Sequence, residues 1–227
     1  RASARSSPGF LQVADENTVH RVAVTLTTPA EAGLITKLLV TVKAPDIEIA
    51  LRSLQHRIAP QTDIVLAANG RGVTRIGAVG GDEKPDWLAD WLTSPLDCAW
   101  ENNIGAALWQ KLAINCAINP LTALHRCNNG ALKYAPLREE VRVLCEEIAC
   151  VSRARGHSQT AAALYGQVSE VIEATAENRS SMLQDIESGR STEIAFITGF
   201  LVQEARRLGI AVPANQALLQ AVQAIAP

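Results

Sequence analysis

The sequence predicts an α/β region built on a parallel sheet, followed by an all-α region. Two observations carry this. Residues 38–68 read as strand, amphipathic helix and strand, the order of a βαβ unit. Beyond residue 100 the glycine and β-branched clusters thin out and apolar residues recur at helical spacing. The boundary is therefore placed near residue 100, giving domains 1–100 and 101–227. With 48% of 227 residues apolar and 19% charged, the chain has the material for a sizeable core.

In chain order, the alternating, β-branched residues 19–28 predict a strand in a hairpin or at a sheet edge. Residues 38–42 form a run that is apolar apart from Thr41, as in a buried parallel strand, stopping at Lys43. Pro45 and Asp46 open a helical pattern to about residue 58. After Pro60, residues 63–68 make a third strand ending at Asn69 and Gly70. Ligands of open parallel sheets sit beyond the carboxyl ends of the strands, which is where Lys43 and Asn69 fall. Residues 71–80 are strand material with glycine breaks, 87–92 a short amphipathic helix, and 95–100 extended.

The second half predicts helices over 104–124, 136–155 with Gly156 as its stop, 160–175 continuing to about 186 with Gly189 beyond, 191–208 ending at Gly209, and 214–225. Residues 127–130 are a turn by composition.

Composition excludes several classes of function. A formal charge of −2 gives no basis for a nucleic-acid or anionic-membrane partner. No uncharged apolar run approaches the length of a membrane span, and residues 1–10 lack the apolar segment of a secretory signal. The five cysteines are odd in number and never spaced C-x-x-C, so they read as free thiols of a reducing compartment. Four scattered histidines make a metal site unexpected.

One stretch breaks the pattern of a plain core helix. Within 104–124, Lys111, Asn115 and Asn119 recur every four residues and so share one helical face. Unpaired polar groups are costly to bury, so the stripe faces either water or a polar ligand. Pro120 follows at once, and a proline inside a helix removes a hydrogen bond and favours a kink, which would open a cleft beside the amides. Asn178, Ser181 and Asp185 fall on one face of a later helix, and Glu193 falls in the first turn of another, where the macrodipole favours a carboxylate.

LWQKLAINCAINPLTA (108–123), CNNG (127–130), TAENRSSMLQDI (175–186), TEI (192–194) and GFL (199–201) together closely resemble the ketopantoate reductase (2-dehydropantoate 2-reductase) family. VTVKA (40–44) and IAVP (210–213) add weaker support. The resemblance implies an N-terminal Rossmann-like NADP-binding domain, incomplete in this chain, and a helical C-terminal domain of the 6-phosphogluconate dehydrogenase type. It implies NADPH as cofactor and 2-dehydropantoate as substrate, in a cytoplasmic enzyme that is a monomer or homodimer. Position by position, Lys111 matches the catalytic general acid and Glu193 the catalytic acidic residue that holds the substrate's hydroxyl end and supports catalysis. Asn115, Asn119 and Ser181 match substrate-binding groups. Asn69 matches a residue meeting both nicotinamide ribose and substrate, and Lys43 a lysine near cofactor and active site. Arg1, with Arg5 as the neighbouring alternative, matches the arginine that reads the 2′-phosphate.

The chain departs from the family in lacking the G-x-G-x-x-G that opens a first βαβ unit, and in the short stretch after Gly70. Segments at the start and after about Gly70 are expected to be missing from this sequence. The alternatives are another 2-keto acid or hydroxyacid dehydrogenase of the same build, or a non-catalytic helical dimerisation module.

Overall fold

In the computed structural model the described residues are 8–14, 19–25, 28–40, 50–66, 74–77, 84, 89 and 98–226. Their packing divides the chain into residues 1–69 and 70–227.

In the first unit, β1 (Pro8–Ala14) and β2 (Val19–Thr25) pair antiparallel, from Pro8 opposite Thr25 to Ala14 opposite Val19. The strand expected at residues 19–28, in a hairpin or at a sheet edge, is present over Val19–Thr25 as one of an antiparallel pair. The partner strand, β1, carries glycine and proline, which weakened its signal in the sequence. β3 (Ile35–Val40) and β4 (Ile58–Leu66) pair parallel, with helical residues 50–54 and a 3-10 turn, Gln55–Arg57, in the crossover. This is the anticipated βαβ order. β4 starts earlier than expected, because the chain bulges between Ile58, opposite Ile35, and Asp63, opposite Lys37. Pro60 lies in that bulge and has no N–H for a ladder. The Thr62 hydroxyl instead donates to the Ile35 carbonyl (2.6 Å) and accepts from Ala59 N–H (2.9 Å). The ends of both strands, with Lys43 and Asn69, lie outside the described residues, as does the expected helix 87–92 apart from Ala89.

In the second unit, β5 (Thr74–Ile76) and β6 (Cys98–Trp100) pair parallel and lead into the helices. Gly77 is required there by close approach: a β-carbon would lie 2.4 Å from the Glu101 carbonyl and 2.5 Å from Ile104 Cβ.

α1 (Ile104–His125) is the hub. It is capped by the Asn103 side chain, which accepts from Ala106 N–H, and ends at Arg126 in the left-handed conformation. α2 (Leu137–Ala154), α3 (Ser158–Ala174), α4 (Ser181–Glu187), α5 (Thr198–Arg207) and α6 (Pro213–Ile225) all pack against it. From Cys116 to Ala123 every residue of α1 is buried, which is why the sequence there is apolar apart from Asn119 and Thr122. The helix runs unbroken through Pro120. At its near end the Trp109 indole, buried, donates to Ser152 Oγ (2.9 Å) and stacks on His157 with ring centroids 5.3 Å apart.

Two helices differ from expectation. The stretch 160–186 is not continuous: α3 stops at Ala174, and α4 starts only after the Ser180 hydroxyl accepts from Leu183 N–H. Asn178 therefore lies before the helix, not on one face with Ser181 and Asp185. The helix expected from residue 191 begins at Thr198. Ile194 and Ile197 are buried, so the apolar spacing there pins a turn to the core instead of forming a helical stripe.

Glu147 of α2 closes the far end of the bundle. Its carboxylate accepts from the backbone N–H groups of Ala214 and Asn215 (both 2.9 Å) and from Asn215 Nδ2 (2.8 Å), capping α6. Glu147→Ala should lower the unfolding free energy by about 2 kcal/mol in denaturant titration, the scale of losing charge-assisted hydrogen bonds. An unchanged midpoint would show that α6 needs no such cap.

Candidate functional site

The polar stripe of α1 is graded. Lys111 is exposed, Asn115 half-buried, and Asn119 only 9% exposed. A stripe on a surface helix would stay wet along its length, so the solvated reading fails at Asn119. The stripe runs on to Thr122, three residues further and fully buried.

Thr122 ties the stripe to the next candidate. Its hydroxyl lies 3.1 Å from the Ile118 carbonyl and donates to Ser180 Oγ at 2.7 Å. Ser180 is the N-cap of α4 and Ser181 its first residue, exposed. The 3-10 turn Asn129–Lys133 holds the same approach from the other side. Asn129 N–H donates to the Asn178 carbonyl and Gly130 N–H to the Ala176 carbonyl, both at 2.9 Å. Asn129 Nδ2 donates to Thr175 Oγ1 (2.9 Å). A β-carbon at residue 130 would lie 2.8 Å from Ala176 Cβ, so glycine is needed for the turn to come this close.

Glu193 stands elsewhere than its sequence suggested. It is half-buried in the turn before α5, and its carbonyl accepts from Phe196 and Ile197 N–H (both 3.0 Å). With α5 beginning five residues later, the macrodipole argument for this carboxylate does not hold. The α5 that follows it meets α1 in a seam: Thr198, fully buried, meets the Cys116 thiol, one residue past Asn115. Burial pushes that thiol up to about 12, so it is inert at neutral pH.

The structure ties α1 to the start of α4 through Thr122 and Ser180, and to the start of α5 through Cys116 and Thr198. Arg1, Arg5, Lys43 and Asn69 lie outside the described residues. Sequence reasoning missed Thr122, Ser180, Thr198 and Asn129. Thr122 was findable as the next position on the stripe. Asn129, buried with an Oδ1 that has no partner among the described residues, looked like an ordinary turn residue.

Two hollows among the described residues lie away from this set. One of about 360 Å³ is apolar, between α1, α2 and α6, with Leu121, Val143 and Leu218 in its wall. The other lies between α2 and α3. Among the described residues no three of His, Cys, Asp and Glu gather as metal ligands, and no helix is long and apolar enough to cross a membrane.

Family models describing ketopantoate reductase PanE/ApbA and its C-terminal domain match residues 2–78 and 103–226. The chain belongs to the ketopantoate reductase family. A 2-dehydropantoate 2-reductase of Escherichia coli O157:H7 is 39% identical over 247 aligned positions, covering 93% of this chain and 81% of the relative. That aligned length exceeds the 227 residues of this chain, so the relative carries interior residues with no counterpart here. A PanE/ApbA family ketopantoate reductase of Ralstonia eutropha JMP134 superimposes with a TM-score of 0.78 at 23% identity, covering 92% of this chain and 82% of its own. A D-mandelate dehydrogenase solved with NADH and anilino(oxo)acetate superimposes with a TM-score of 0.75 at 20% identity, covering 91% and 82%. At these identities the two structures establish the fold alone.

The family depends on a nicotinamide dinucleotide, and this chain fits one only in part. Its 227 residues contain no G-x-G-x-x-G, and its first described strands form an antiparallel hairpin, not a strand leading into a helix. The described residues therefore make no pyrophosphate cradle.

The seam is testable by thiol chemistry. Iodoacetamide at pH 8, followed by peptide mass mapping, should label exposed Cys150 first and leave Cys116 and Cys145 unlabelled until denaturant is added. Early labelling of Cys116 would show that α5 does not close on α1.

Proposed function

We propose that this chain catalyses the reduction of 2-dehydropantoate to (R)-pantoate, on the route to pantothenate and coenzyme A, with NADPH as its cofactor and the cytoplasm as its compartment. The observation that carries this reading is the grading of the α1 stripe from an exposed lysine to a buried amide, next to the start of α4. A small anionic keto acid needs neutral donors at its buried end and a proton source at its reacting carbonyl. The stripe offers both in that order.

When bound, the nicotinamide supplies the hydride that adds to the carbonyl carbon. The chain's own residues do the rest. Lys111 holds an ammonium proton at the ketone oxygen, where negative charge builds, and donates it as the alcohol forms. Asn119 and Ser181 bind carboxylate and hydroxyl oxygens, and Asn115 orients the substrate between them and the lysine. Amides and hydroxyls suit this task because they donate without a titration of their own at neutral pH. Glu193 accepts from the hydroxyl end of the substrate. Asn69 and Lys43 serve the nicotinamide side, and Arg1 or Arg5 the 2′-phosphate. In this reading residues 1–100 are the nucleotide-binding part and 101–227 the substrate-binding part, working as a monomer or homodimer with no nucleic-acid or membrane partner.

The test is NADPH oxidation followed at its absorbance band with 2-dehydropantoate. Lys111→Ala should lower kcat by about 10²- to 10⁴-fold, the usual worth of a positioned general acid. Its exposed position predicts a stability change within about 0.5 kcal/mol. Equal losses of rate and melting temperature would remove Lys111 from the chemistry. Turnover confined to other 2-keto acids would move the substrate assignment to the wider dehydrogenase class.

A further inference from the structure

The reading of Glu193 as a substrate-holding acid raises the question of what fixes its place, since it stands in a turn and not on a helix. Behind it the turn is anchored well. The Glu193 carbonyl accepts two backbone bonds, the Ile194 carbonyl accepts from Gly199 N–H (3.0 Å), and the side chains of Ile194 and Ile197 are buried. Ahead of it the chain must leave the end of α4 and cross to the turn in a few residues. The crossing is bonded back onto α4. Gly189 takes the left-handed conformation, φ +64°, and its N–H donates to the Ile186 carbonyl (3.1 Å), ending the helix. The next residue, Arg190, is bonded to Asp185 twice: its N–H donates to the Asp185 carbonyl and its Nε to the Asp185 carboxylate, both at 2.8 Å.

The two side chains of this pair differ in setting. The Asp185 side chain is 5% exposed and that of Arg190 is 56% exposed. A buried carboxylate is held firmly by the groups around it, and Arg190 is one of its partners. A half-exposed arginine adds little to global stability. Its consequence is local: the guanidinium latches the loop at residue 190, three residues before Glu193, to a carboxylate fixed in the helical core. Cutting the latch frees the chain on one side of Glu193 while the other side stays anchored. The acid can then swing without the fold coming apart.

We infer that Arg190 and Asp185 are positioning residues which clamp the loop between α4 and the following turn and so hold Glu193 at the orientation the substrate requires. This inference rests on the reading of Glu193 given above. The pair touches neither substrate nor cofactor and acts through that one side chain.

The experiment is a kinetic cycle on the full chain, with kcat, KM for 2-dehydropantoate and melting temperature measured for Arg190→Ala, Arg190→Lys, Glu193→Gln and the double variant Arg190→Ala/Glu193→Gln. Arg190→Ala should lower kcat/KM about tenfold or more, as small misplacements of active-site groups do. Its melting temperature should stay within about 2 °C, as for other surface substitutions. Arg190→Lys should recover part of the loss, because an ammonium can still reach the carboxylate. In the Glu193→Gln background Arg190→Ala should cause no further loss, since nothing remains to be positioned. Unchanged kinetics in Arg190→Ala, a melting loss large enough to match the kinetic one, or the same fold-loss with and without Glu193 would overturn the inference. A defect in Glu193→Gln with none in Arg190→Ala defeats the inference alone. Full activity of Glu193→Gln defeats the reading of Glu193 and the inference with it.

Discussion

The hydrogen bond between the hydroxyls of Thr122 and Ser180 is the constraint on which the site depends. Around Thr122 α1 is buried on all sides, and a hydroxyl placed there needs partners within the protein, which the Ile118 and Asn119 carbonyls of its own helix and Ser180 supply. The partner outside α1, Ser180, is the N-cap of another helix, and that contact bears on two things at once. It sets the rotation of α1 about its axis, which decides where Asn119, Asn115 and Lys111 emerge. It also sets where α4 starts, and with it Ser181. One buried bond of 2.7 Å thus registers two of the three elements that carry the candidate residues. The start of α5, which the Glu193 turn precedes, meets α1 where Thr198 lies against Cys116.

The grading of the stripe gives this arrangement its chemical sense. An ammonium is hard to bury, because desolvation removes the charge that makes it useful, whereas an amide is buried cheaply once it is bonded. Lysine stands at the wet end of the stripe and the amides inward, so the charged group is exposed and the binding end dry. Family membership and this gradient are independent lines of support. The first comes from the order of motifs along the chain and the second from burial along one helix.

Much of this was legible in the sequence, and the failures have physical causes. The βαβ unit and the long central helix were readable because each has an unambiguous apolar period. Ser191 and Thr192 read as a helix start that puts Glu193 in a first turn, yet they precede a turn, anchored by buried Ile194 and Ile197, in which the Glu193 carbonyl accepts two backbone N–H groups. Asn178 was placed with Ser181 for a similar reason: a cap by Ser180 looks, in sequence, like helix interior. Thr122 and Asn129 were passed over because their roles depend on contacts 58 and 46 residues away, which no local period reports. The residues assigned to the nucleotide lie beyond the described ends of strands and remain a proposal from motif and position.

The most direct measurement is a crystal structure of this chain with pantoate bound. The account predicts the acid lying along the stripe of α1, its oxygens within hydrogen-bond distance of Asn119 and Ser181, its secondary hydroxyl at Lys111 Nζ, and Glu193 on the same side. Pantoate bound in the apolar hollow between α1, α2 and α6, or Lys111 and Glu193 facing away from each other across the helical bundle, would contradict it.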